Sequence, residues 1–434
     1  MAVVERYLIQ PELVQRREEG CDVSQLEPKI LAALEDESTR DHIFVELYNE
    51  LNELNPDSSF PYNEPSELDA IRALRSDGPR RMTLKDSEQV LRDRIYGGWL
   101  GRAAGCLLGK PVEGWLRERI DEYLSDTNAL PLDDYIPFRE GTINEYLKSS
   151  TRGNIEFMAR DDDMDYPILG LIALERHGSQ LSPRDMANTW LSYMPFNMLY
   201  TAENVAYRNF VNRCWPPESA NWRNPFREWI GAQIRADIFG YVTPGWPEKA
   251  AELAYQDACI SHVKNGIYGE MFMAAMIAAS FATDDIRQII DIGLSEIPAN
   301  CRLAEAVHDT VAWCTEFDDW ELVWDRISEK YGHYHRVHTI NNAALVVMGL
   351  MFGTTNYEHG IVFTVRGGWD TDCNGATVGS ILGTKMGAEA LPEKWVGVLS
   401  NRLMSVVRDF NDNQISDLAD RTFQMAMSIT SEAN

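Results

Sequence analysis

Apolar residues recur at intervals of three and four through most of this 434-residue chain, with charged residues between them. That recurrence is the signature of helices with one buried face. It predicts helices over about 84–108, 164–177, 184–194, 248–260, 267–282, 284–293, 302–315, 340–352, 371–388 and 395–410. Strand-type alternation is scarce, so the expected fold class is all-α, with irregular insertions at about 116–158 and 212–247. Nearer the start, Leu26, Ile30, Leu31 and Leu34, then Ile43, Leu47 and Leu51, keep helical spacing before a turn-rich stretch from Asn55 to Pro65. The breaker cluster Ser76-Asp77-Gly78-Pro79 places the main boundary next. The chain is therefore expected to divide into an accessory helical region, 1–80, and a main domain, 81–434.

Two of these helices carry a four-residue glycine repeat: Gly97, Gly101, Gly105 and Gly109, and again Gly375, Gly379, Gly383 and Gly387. Glycine in a helix costs about 1 kcal/mol relative to alanine, so eight of them imply an offsetting gain. Close approach of two packed backbones supplies one. Small-residue stripes also occur in membrane helices, but Arg102, Lys110, Lys385 and Glu389 lie in or beside these and argue against lipid contact.

Composition narrows the classes of partner. A formal charge of −27 repels phosphate backbones and anionic lipid, so neither nucleic acid nor a membrane surface is expected. Seven scattered cysteines, an odd number with no CxxC pair, argue against a disulfide framework or a structural zinc site. Met1–Gln10 has no basic stretch followed by an apolar run, so the cytoplasm is the expected compartment. Nothing in the sequence speaks to oligomeric state.

The candidate chemistry is acidic. Asp161, Asp162, Asp163 and Asp165 stand immediately before the apolar run Tyr166–Leu174, and Arg366-Gly367-Gly368-Trp369-Asp370-Thr371-Asp372-Cys373-Asn374 opens the second glycine helix. Carboxylates favour a first helical turn, and one or two would be ordinary capping. Four adjacent like charges repel unless cations neutralise them, and hard divalent ions take oxygen ligands. A solvated acidic helix start and a plain capped loop are the bland alternatives. Glu113, just past the first glycine helix, is a third candidate, and as a lone residue it would be unremarkable.

These motifs resemble the ADP-ribosylglycohydrolase family. That family has a glycine-rich first helix ending near a glutamate, a Thr-Asp-Asp motif opening a helix, and a late Gly-Gly-Asp-Thr-Asp-Thr motif. Residues of about 90–115, 159–178, 255–282 and 338–392 carry the likeness, in the family's order. The resemblance implies a compact helical orthogonal bundle with two Mg²⁺ or Mn²⁺ ions in a central cleft. It also implies a metal set drawn from Asp161, Asp162, Asp163, Asp370, Asp372 and Cys373, with Asp372 bridging the ions. Glu113 would be a mobile acid beside them, and Asp162 or Glu113 would take a proton from the attacking water. Three departures stand out. Asp161 replaces a threonine, Cys373 occupies the place of a threonine ligand so that Asn374 or water would have to serve, and Trp369 interrupts the Gly-Gly-Asp run.

The expected activity is a Mg²⁺- or Mn²⁺-dependent glycoside hydrolase that cleaves at the anomeric carbon of a ribose, ADP-ribosyl first. Alternatives are hydrolysis of a small free N-riboside, a catalytically silent ADP-ribose binder, and, more remotely, a dinuclear phosphoesterase that would lack histidines beside its carboxylates. The expected partner is a small-molecule or ADP-ribosylated substrate. Glu113, His262, Asn341, Asn342, Trp369 and Gly368 complete the expected substrate-binding set. His262 could equally cap a helix, the two asparagines could pack as caps, and Trp369 could be a buried structural residue.

Overall fold

The two glycine stripes lie face to face. In a computed structural model, which describes residues 4–432, the helix Glu88–Gly109 runs antiparallel to the helix Thr371–Met386. Gly97 meets Gly383, Gly101 meets Gly379, Gly105 meets Gly375, and Gly109 meets Thr371. At each of these crossings a Cβ would run into the opposite backbone carbonyl. The missing side chains are therefore what allow the two axes to touch, and the Thr371 hydroxyl reaches the Gly109 carbonyl directly at 2.8 Å. Because the helices are antiparallel, the last turn of one and the first turn of the other end at the same place.

A third helix, Asp162–His177, points its N-terminus at that same end. The fully buried Arg102 ties it there. Its guanidinium donates to the Asp163 carbonyl at 2.7 and 3.1 Å, to Asp237 Oδ2 at 2.7 Å and to the Ile234 carbonyl at 2.6 Å. Around this centre the buried apolar helices Asn265–Ser280 and Thr339–Phe352 complete one large core. The architecture is all-α; among the described residues the only paired strands are the short ribbon Arg402–Met404 with Asp412–Gln414. No helix among them is long and apolar enough to cross a membrane.

The helix expected over 395–410 does not form. Trp395, Leu399, Leu403 and Val407 keep four-residue spacing and are all fully buried, which mimics a helical stripe. The backbone leaves the helical region at Ser400 and Asn401, both with positive φ, and then runs into the ribbon. Conversely, the structure adds helices at Glu5–Glu18, Thr201–Val211, Trp320–Tyr331, Tyr357–Arg366 and Ile415–Glu432.

Near the chain start, Glu5–Glu18, Glu27–Glu35 and Asp41–Glu53 close a small core of their own around Ile9, Ile30, Phe44 and Leu51. Buried charge joins it to the rest: Arg227 reaches Glu12 and Glu19, Arg302 reaches Glu64 and Glu228, and Gln15 donates to Glu228 at 2.7 Å.

Candidate metal centre

Where the three helix ends meet, a cleft of about 1020 Å³ opens. Glu113, Asp161, Asp162, Asp163, Asp370, Asp372 and Cys373 all line it. The two acidic runs, some two hundred residues apart in sequence, thus share one wall. Ligand atoms of Asp163, Asp372 and Cys373 lie within 4.8 Å of one another, as do those of Glu113, Asp370 and Asp372, and those of Cys106, Asp161 and Asp163. Asp163 and Asp372 each belong to two of these sets.

The carboxylates differ in how far the protein already satisfies them. Asp161 caps its own helix by accepting from the Asp163 N–H at 3.0 Å, and its other oxygen takes the Lys110 ammonium. Asp165 is spent on Arg160 at 2.8 Å and on the Val406 N–H at 3.0 Å, and so is structural. Asp370 holds the N-cap position of its helix yet caps nothing. Its Oδ1 and that of Asp372 are buried without a hydrogen-bond partner. An uncompensated buried carboxylate oxygen is expensive, and a cation is the group that would satisfy it. Together with the overlapping ligand sets, these orphaned oxygens fit a divalent-ion site.

Electrostatics point the same way. Burial, then the Asp161 charge, pushes the Asp162 carboxyl up to about 8, and the same two causes push Asp372 up to about 6. Asp163 and Asp370 are raised by burial and by neighbouring aspartates. Glu113, open to solvent on one side, is raised chiefly by the Asp372 charge and then by burial. Burial acts to raise Asp161 too, but Lys110 outweighs it and holds that group below its ordinary value. The extra charge of an aspartate in place of the family's threonine is therefore offset by a lysine fifty-one residues earlier.

Linkage gives this crowding a measurable sign. A carboxyl whose folded pKa is raised binds more protons in the folded than in the unfolded state, so stability falls as pH rises through the gap. Above about pH 7.5 the buried His262 and His338, both held down by burial, are neutral in both states, and Glu228, held near 2, is ionised in both. The slope comes from the raised acids together: Glu113, pushed up to about 9, Asp162, Asp163, Asp370 and the buried Glu270. The metal-free protein is expected to lose at least about 1 kcal/mol per pH unit between about pH 7.5 and 8.5 in denaturant titrations with a chelator present. An unchanged slope in Asp162→Asn would refute the assignment.

Five of the residues expected at the site do not face the cleft. His262 is fully buried behind its wall, paired with the Ser261 hydroxyl at 2.8 Å. Asn341 donates to the His335 carbonyl. Asn342 is a strut beneath the site: its Oδ1 accepts from the Asp370 N–H at 3.2 Å and from the Asn374 amide at 2.7 Å. Trp369 is buried beside Trp324, and with Gly368 it takes positive φ in a turn bridged to Trp115 and Leu116. A side chain on Gly368 would strike the Trp115 carbonyl, so the glycine serves the turn.

Sequence reasoning missed several residues that do line the cleft. Lys110, Arg160 and Arg119, which stacks over Trp115 at 3.8 Å, supply positive charge, and Trp229 and Tyr200 supply aromatic wall. For Lys110 and Arg160 a signal was present, since each directly adjoins a motif. Nothing local marked the others.

A family model for ADP-ribosylglycohydrolase matches residues 87–430. Among solved structures, one described as an ADP-ribosylglycohydrolase-related protein complex superposes with a TM-score of 0.50 at 14% identity, over 79% of this chain and 99% of that one. At that identity the likeness speaks to the fold alone. No curated protein sequence matches significantly.

Proposed function

The chain belongs to the ADP-ribosylglycohydrolase family, and on that premise we propose that its cleft hydrolyses a glycosidic bond at the anomeric carbon of a ribose, ADP-ribosyl above all, with two Mg²⁺ or Mn²⁺ ions. The observation that carries this reading is the pair of orphaned buried oxygens on Asp370 and Asp372 within overlapping sets of ligand atoms. Asp162, Asp163, Asp370 and Asp372 are the proposed ligands, with Asp372 shared between ions. Bound there, the ions would hold ribose hydroxyls and stabilise the charge that grows at the anomeric carbon.

The protein's own groups supply the rest. Glu113, at the cleft wall with its carboxylate beside Asp370 and Asp372, is placed to take a proton from water and return it to the leaving group. Asp162, which also lines the cleft, is the second candidate for that role. Arg119, Arg160 and Lys110 counter the acids and offer donors to an anionic substrate. A volume of about 1020 Å³ suits a ligand of nucleoside-diphosphate size.

A second reading, hydrolysis of a free N-riboside, is favoured by the insertion at 116–158. Its Tyr146 and Phe157 line the cleft and narrow access for a protein-borne group. One assay separates the readings. With Mg²⁺ or Mn²⁺ supplied, release of ADP-ribose from ADP-ribosyl-arginine or ADP-ribosyl-serine peptides supports the first, and release of ribose from nucleosides alone supports the second. Tight ADP-ribose binding without product in saturating metal would overturn both in favour of a silent binder.

A further inference from the structure

Resting on the metal-centre reading above, we infer that the ion held between Asp163 and Asp372 also binds the sulfur of Cys373, and that this position prefers a first-row transition ion to Mg²⁺. The thiol is placed for it. Cys373 is 6% exposed and lines the cleft, its Sγ sits 3.2 Å from Asp163 Oδ2, and the three ligand atoms lie within 4.8 Å of one another. Beside them is the buried Asp372 Oδ1 with no partner.

Neither the Thr371 hydroxyl nor the Asn374 amide, the neutral oxygen donors of the same helical turn, competes for that place. The Thr371 hydroxyl is spent on the Gly109 carbonyl at 2.8 Å. The Asn374 amide nitrogen donates beneath the site to Asn342, and although its Oδ1 is buried without a partner, Asn374 does not line the cleft. The sequence offered Asn374 or water in place of the missing threonine, but it is the Cys373 side chain that lines the cleft and not the Asn374 amide.

The chemistry then selects the cation. Mg²⁺ requires near-octahedral oxygen and tolerates sulfur poorly, whereas Mn²⁺, Fe²⁺, Co²⁺ and Zn²⁺ accept thiolate increasingly well. On binding, the sulfur–metal bond forms as the S–H proton, now donated to Asp163, leaves to solvent. The neighbouring Cys106 plays no equal part, because the Asp161 in its set is occupied by Lys110.

Cobalt makes the inference visible. Co²⁺ titrated into the metal-free full chain should raise a near-ultraviolet thiolate-to-cobalt charge-transfer band, while calorimetry records Co²⁺ and Mg²⁺ affinities in parallel. Cys373→Ser should still bind Co²⁺ but lose the band, and its preference for Co²⁺ over Mg²⁺ should fall about tenfold or more; Cys106→Ser should keep the band. Co²⁺ binding to the unaltered chain without the band, or a band that survives in Cys373→Ser, overturns the sulfur assignment and leaves the metal centre standing. If neither ion binds, the metal-centre reading itself falls.

Discussion

Asp372→Asn is expected to lower turnover by about a thousandfold or more, roughly 4 kcal/mol of barrier, and to abolish tight binding of at least one divalent ion. The reason is position. Asp372 belongs both to the set with Asp163 and Cys373 and to the set with Glu113 and Asp370, so losing its charge weakens both places at once. The substitution keeps shape and volume, and it removes a charge that burial and Asp161 already make costly. The metal-free variant should therefore melt no lower than the parent, which separates lost chemistry from lost folding. Equilibrium dialysis with Mn²⁺ beside an activity assay checks it, and full turnover with both ions lost would end the metal-dependent mechanism.

The largest effect on stability is expected from Gly105→Val. A Cβ at this position falls on the Gly375 carbonyl, which is backbone and cannot rotate away. The neighbouring crossings, Gly101 with Gly379 and Gly109 with Thr371, clamp the helices on both sides, so a local shift would have to separate them along their length. Overpacking against side chains costs about 1–3 kcal/mol, and against clamped backbone it should exceed that and approach the 5–15 kcal/mol of a typical domain's whole stability. Soluble yield and the urea midpoint are the measurements. A midpoint shift worth less than about 1 kcal/mol would show that the helices can part cheaply. Any folded remainder should bind metal poorly, since the same contact sets the end where Lys110, Glu113 and Asp372 meet.

That dependence separates what the chain states locally from what only folding decides. The glycine stripes were readable because a four-residue repeat is a property of one helix, and only close packing offsets its cost. The acidic runs were readable for a similar reason, since like charges crowded before apolar helices demand neutralisation. The all-α class followed from periodicity, and periodicity failed where burial without a helix copies it, as at Trp395, Leu399, Leu403 and Val407.

Tertiary structure alone decided who faces whom. Lys110 answers Asp161, Arg102 pins Asp163 to Asp237, and Asn342 props Asp370 from beneath, each across dozens of residues or more. Position beside a motif did not fix direction either: Trp369 turns into the core with Trp324, and Asn374 turns away while Cys373 faces the acids. By itself the sequence determined the helical class, the close-packed pair and the two crowded acidic runs. Which carboxylate oxygens are left without a partner depends on contacts between distant segments, and local residue order does not encode those one by one.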